Sequence, residues 1–78
     1  MNWQEYITQD PAVLLGKPVV RGTRISVELI LELLETGWTH EQIFESYPHL
    51  PRAAVPAVYA YLKDCVQHEF YFSIGKTG

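Results

Sequence analysis

"SVELILELLETGWTHEQI", residues 26–43, carries two helix starts and one helix stop, and these decide the fold. Ser26 is placed to cap a helix, because its hydroxyl can accept from an amide of the first turn. Val27, Ile30, Leu31 and Leu34 then recur at i, i+3, i+4 and i+7, while Leu29 and Leu33 widen the stripe. Glu28, Glu32 and Glu35 fall outside it. A stripe this wide predicts burial on more than one side. Gly37 is the stop, at the position where a helix end turns left-handed. A helix this short does not persist alone in water, so it must be packed. Thr39 and Gln42 have the spacing of a capping box, and Trp38 and Ile43 that of a hydrophobic staple, so a second helix starts at once.

Moving toward the C-terminus, "HEQIFES" supplies about two turns and "YPHLP" ends them. A third helix begins between Arg52 and Pro56 and runs to about Gln67 or His68. Its expected apolar face is Val55, Val58, Tyr59, Leu62 and Val66. Pro56 has no amide hydrogen, so it fits the first position of a late-starting helix or a helix preceded by one irregular turn. "EFYFSIGKTG" then alternates Phe70, Phe72 and Ile74 against Tyr71 and Ser73, as in a short C-terminal strand or a docking tail.

Toward the N-terminus, "WQEYIT" (3–8) reads as a short strand, and Pro11, Gly16 and Pro18 punctuate the segment after it. "PVVRGTRIS" (18–26) is β-branched and broken only by Gly22-Thr23, the signal of a type II′ hairpin. That turn sets Arg21 opposite Arg24 on one face and Val20 opposite Ile25 on the other. The expected fold is mainly α: a three-helix, helix-turn-helix-like (homeodomain-like) bundle preceded by short β-strands or a hairpin. One domain spans 1–78, with 1–25 the β region, 26–68 the helices and 69–78 an aromatic tail.

Composition narrows the function classes. With 78 residues, roughly 60% of the unfolded surface can be buried, which leaves stability marginal and favours oligomerisation. A single cysteine excludes an internal disulfide, and one cysteine beside three scattered histidines has no zinc spacing. The N-terminus lacks the basic and apolar regions of a signal peptide, and no apolar run approaches a membrane span. A cytoplasmic protein with no membrane contact is expected. The net charge of −3 gives the whole molecule no attraction for nucleic acid, so any such contact needs a local basic patch.

The pattern "DP…GKPVVRGTRISV…IL.LL..G.T.EQI…YPHL…AV.AYL", over residues 10–62, resembles the family catalogued as domain of unknown function 433. "GKPVVRGTRI" (16–25) and "YPHL" (47–50) carry the resemblance. It implies an antitoxin-like, VapB-like helix-turn-helix domain, often encoded beside a PIN-like ribonuclease toxin, with DNA binding for self-repression. Where such domains tend to cap the third helix with Thr or Ser followed by acidic residues, this chain has "PRAAVP". The aromatic tail lies outside the resemblance.

The arginine pair has three readings. Arg21 and Arg24 could bond Glu28, Glu32 or Glu35 of the next helix or nearby loop carbonyls, with Gly22 and Thr23 simply forming the turn. They could contact phosphates, which positions DNA without reading sequence. They could also pair bidentately with the metal-holding carboxylates of a PIN-like toxin. Arg52 is the only side chain at the start of the third helix able to reach base edges, so Arg21, Arg24 and Arg52 form the candidate DNA-binding set. The candidate partner-binding set is Arg21, Gly22, Thr23, Arg24, Phe70, Tyr71, Phe72 and Ile74. A homodimer through the N-terminal β region is expected. Cys65 reads as a buried free thiol, with His68 three residues on, and the histidines form no site. No catalytic constellation, metal site or cofactor motif stands out, so the expectation is not an enzyme. The favoured function is an antitoxin that inhibits a PIN-like ribonuclease. The alternatives are a DNA-binding regulator acting on operator DNA and a structural adaptor.

Overall fold

The computed structural model describes residues 1–70. Its elements are β1 (Ile7–Thr8), β2 (Val19–Val20), α1 (Val27–Glu35), α2 (His40–Ser46) and α3 (Ala54–Cys65). Short 3₁₀ turns lie at Trp3–Glu5 and Leu14–Gly16, and a π turn at Val66–Phe70 follows α3. The architecture is thus three helices with a small two-stranded antiparallel sheet.

Local chemistry sets most helix ends. The Ser26 hydroxyl accepts from the Leu29 amide at 2.9 Å, which starts α1. At the other end Gly37 sits at φ +97, with Gly37 N–H donating to Leu34 and Trp38 N–H to Leu33. Those two bonds make a Schellman motif, and glycine supplies the positive φ at no steric cost. The capping box of α2 is reciprocal: Gln42 N–H donates to the Thr39 hydroxyl at 3.1 Å, and Thr39 N–H to the Gln42 side chain at 2.8 Å.

Pro56 takes the second of its two options. Ala54 N–H bonds back to Pro51 in one irregular turn, and the first bond within α3 runs from Ala57 to Ala53. Pro56 therefore stands third in α3, where no amide hydrogen is needed. The buried face of α3 is rotated from the expected one. Ala54, Val55, Ala57 and Val58 are buried and Tyr61 and Leu62 pack against the core, whereas Tyr59 and Val66 are exposed. Alanine reads as weakly apolar, but its small side chain lets α3 lie close to its neighbours.

The core joins Ile7, Val20, Val27, Ile30, Ile43, Leu50, Ala54, Ala57 and Val58 into one cluster, with no buried polar residue among the described ones. Each fully buried Ile or Val contributes roughly 1.5–3 kcal/mol of transfer free energy. Leu31, Leu33 and Leu34 cover the cluster's edge while remaining half-buried, so only Val27 and Ile30 of α1 are fully enclosed.

The expected strand over 3–8 is shorter. Only Ile7 and Thr8 pair, opposite Val20 and Val19. Residues 3–5 coil instead, capped by the Asn2 side chain accepting from Gln4 N–H at 3.2 Å. The third helix ends at Cys65 rather than Gln67 or His68, and the π turn carries the backbone on through Glu69 and Phe70, where the C-terminal strand was expected to begin; the rest of that strand lies outside the described residues.

Candidate interaction site at the arginine turn

β2 is flanked on both sides. β1 pairs along one edge, while on the other Val19 bridges Ser26 and Val20 N–H donates to Ile25 at 2.9 Å. The expected alignment of Val20 with Ile25 is therefore present. The turn itself sits one residue earlier than expected. Thr23 N–H donates to the Val20 carbonyl at 3.0 Å, so Arg21 and Gly22 are the central residues, with Gly22 at φ +81. A positive φ at the third position is type II geometry, and it corrects the type II′ turn centred on Gly22-Thr23. Two contacts explain the shift. Arg21 N–H is captured by the Tyr6 carbonyl at 2.7 Å, extending the ladder with β1. The Thr23 hydroxyl donates to Val20 at 2.8 Å and accepts from Ile25 N–H at 3.0 Å, which locks the return of the chain.

The two arginines have different surroundings. The Arg21 guanidinium donates to the Gln4 carbonyl at 2.9 Å, tying the turn to the first residues of the chain. Arg24 is exposed and has no hydrogen bond or ion pair among the described residues. Neither reaches a glutamate of α1. Glu28 pairs instead with Lys17 at 3.3 Å, and both groups are largely exposed. Among the described residues, Arg24 is thus an unpaired guanidinium on a turn pinned by backbone and threonine bonds.

Arg52 lies elsewhere, on the approach to α3. It pairs with Glu41 at 3.0 Å and its guanidinium lies 4.8 Å from the centre of the Phe44 ring. The exposed pair is worth little, so Arg52 is held only loosely. The structure thus brings Arg21, Gly22, Thr23 and Arg24 together and leaves Arg52 apart. Tyr71, Phe72 and Ile74 lie outside the described residues, and Phe70 ends the described backbone. Cys65 is half-buried rather than buried, and His40 meets the Tyr59 hydroxyl at 3.5 Å. Among the described residues no group of three or more His, Cys, Asp or Glu is arranged to hold a metal ion. No helix among them is long and apolar enough to cross a membrane.

A feature that no motif announces lies next to this turn in the chain. Leu14, Leu15 and Gly16 all take positive φ, at 48, 57 and 83°, and Leu15 is 95% exposed. A left-handed L-residue costs about 1–2 kcal/mol. Here that strain lifts a bare leucine into water. The signal in the sequence was the apolar run "VLL" (13–15) held between Pro11 and Pro18.

Residues 7–62 match the family described as "Protein of unknown function (DUF433)". The chain belongs to the DUF433 family. The DUF433 match runs from β1 to the last turns of α3 and so contains the whole arginine turn. The chain is also similar to "Uncharacterized protein y4eO" of Sinorhizobium fredii (strain NBRC 101917 / NGR234), 38% identical over 47 residues. That alignment takes in 60% of this DUF433 chain and 21% of the relative, so the chain spans about a fifth of that protein's length. No solved structure matches.

Proposed function

We propose that this DUF433 protein is an antitoxin that binds and inhibits a PIN-like ribonuclease through the arginine turn. The observation that carries this reading is Arg24: an exposed guanidinium with no hydrogen bond or ion pair among the described residues, on a turn fixed by Gly22, Thr23 and the bond from Arg21 to Gln4. A pre-positioned guanidinium loses little freedom when it meets a carboxylate, and the pairing can be bidentate. The likeness of "GKPVVRGTRI" and "YPHL" to antitoxin-like helix-turn-helix domains supports the same reading. In it, α2 and α3 are the helix-turn-helix pair, and two copies associate through the N-terminal β region.

The test is co-expression with a PIN-like nuclease encoded beside this chain. Copurification and suppression of RNA cleavage are expected, and Arg24→Glu should abolish suppression while leaving the melting temperature unchanged. Absence of any complex refutes the proposal.

A DNA-binding regulator is the second reading, favoured by the outward side of α3. Arg52, Pro56, Tyr59 and Lys63 are exposed there with no carboxylate among them. Such a helix face would tolerate a phosphate backbone, although Glu41 first has to release Arg52. A mobility shift that weakens steeply with salt and is reduced in Arg52→Ala would favour it.

A further inference from the structure

Away from the arginine turn, the first residues of the chain meet the end of α3 around a cleft of about 310 Å³, lined by Trp3, Gln9, Tyr61, Asp64, Cys65 and His68. Trp3, Asp64, Cys65 and His68 lie outside the span matched to DUF433, so the cleft is largely separate from the segment that defines the family.

Its walls have a definite chemistry. The Trp3 and Tyr61 rings stand at 85° with centroids 4.9 Å apart, forming an aromatic corner. The Trp3 indole N–H donates to Asp64 Oδ2, which holds the indole against α3 from 61 residues away in the chain. Asp64 is half-buried, and no cationic group pairs with it among the described residues. The Gln9 amide nitrogen is turned away to the Gly16 carbonyl at 3.3 Å. The faces of aromatic rings carry partial negative charge, and a carboxylate drawn partly out of water is screened less than one on the surface. Together they make the cleft attractive to cations and repellent to anions. Its volume stands near the lower bound of ligand sites, roughly 300 Å³, which suits a small ligand group.

We propose that this cleft binds an alkylammonium group, with Trp3 and Tyr61 supplying cation–π contact and Asp64 the counter-charge. Rings within about 6 Å of a cationic centre, with a carboxylate beside them, are the arrangement by which proteins hold quaternary and primary ammonium ions. Asp64 has two roles here. Oδ2 orients the indole, while the charge of the carboxylate attracts the ligand.

The test uses the full chain, ¹⁵N-labelled, titrated with choline and with its neutral isostere 3,3-dimethylbutan-1-ol. The Trp3 indole N–H signal is the reporter and the Trp38 indole the internal control. Choline should move the Trp3 signal saturably, and the isostere should bind roughly tenfold more weakly. Asp64→Asn keeps an oxygen for the Trp3 indole but removes the charge, and should weaken choline by a similar factor. Equal shifts from choline and the isostere on the wild-type protein would overturn the proposal, and so would a Trp3 signal that does not respond. Neither result depends on a variant folding. A third titration, with the peptide acetyl-Gly-Lys-Gly-amide, separates the sources of the ammonium. Tighter binding of the peptide assigns the cleft to a lysine of a partner protein, and tighter binding of choline to a free small molecule. The proposal stands apart from the antitoxin reading, because Arg24→Glu should leave choline binding intact.

Discussion

Replacing Leu15 with glycine should stabilise this protein, although it removes a large apolar side chain. Leu15 takes φ 57 and ψ 31, in the left-handed region between Leu14 at φ 48 and Gly16 at φ 83. An L-residue there costs about 1–2 kcal/mol through its Cβ, and glycine abolishes that cost. Against the gain stands the extra freedom of glycine in the unfolded chain, about 0.5–1 kcal/mol. The third contribution, lost burial, is close to nothing because Leu15 is 95% exposed. The balance is a gain of about 0.5–1 kcal/mol, and a domain of this size then melts roughly 2–8 °C higher. Thermal unfolding followed by far-UV circular dichroism, with urea midpoints as a check, measures it. Leu15→Ala is the control, since it keeps both the Cβ and the strain and should melt with the wild type. A lower melting temperature for Leu15→Gly, or equal gains in the two variants, would refute the reasoning. The first outcome would mean that the leucine packs against something, and the second that the backbone is unstrained.

Other substitutions probe the remaining devices. Gly22→Ala should destabilise by about 0.5–1 kcal/mol, because the φ of +81 costs an L-residue about 1–2 kcal/mol, the loss of glycine's freedom in the unfolded chain offsets about 0.5–1, and no atom lies within 4 Å of an added Cβ; denaturant unfolding measures this, and a neutral result would place the turn elsewhere. Thr39→Ala removes the acceptor of the α2 capping box and should cost about 1 kcal/mol by the same assay, whereas Thr36→Ala, whose hydroxyl only bonds back to Leu33 within the helix end, should be nearly silent. Ile43→Ala, at a wholly buried position, should cost about 2–5 kcal/mol and leave the chain largely unfolded in urea solutions the wild type withstands.

The boundaries of α1 and α2 were legible because each rests on residues within a turn or two of one another, whereas α3 has no side-chain cap to mark its start. Ser26, Gly37 and the Thr39–Gln42 pair act on their own neighbours, and the structure places each of them as the sequence indicates. The arginine turn was legible in alignment but not in position. Its shift by one residue depends on Tyr6, which receives the Arg21 N–H across the sheet. The face of α3 was misjudged at Tyr59 and Val66 because periodicity ranks side chains by hydrophobicity, while close approach selected Ala54 and Ala57.

Residues close together in the chain were enough to place both ends of α1 and α2, the turn at Gly22, and Val20, Ile30 and Ile43 on inward faces. These depend on capping hydrogen bonds, allowed φ values and apolar spacing, all of which act over a few residues. Tertiary packing alone settled that Arg21 is engaged while Arg24 is not among the described residues, that Leu15 stands strained in water, and that Trp3 meets Asp64 and Tyr61. Each of these results from segments distant in the chain competing for the same donor, acceptor or apolar surface, and no local pattern of residues records how that competition ends.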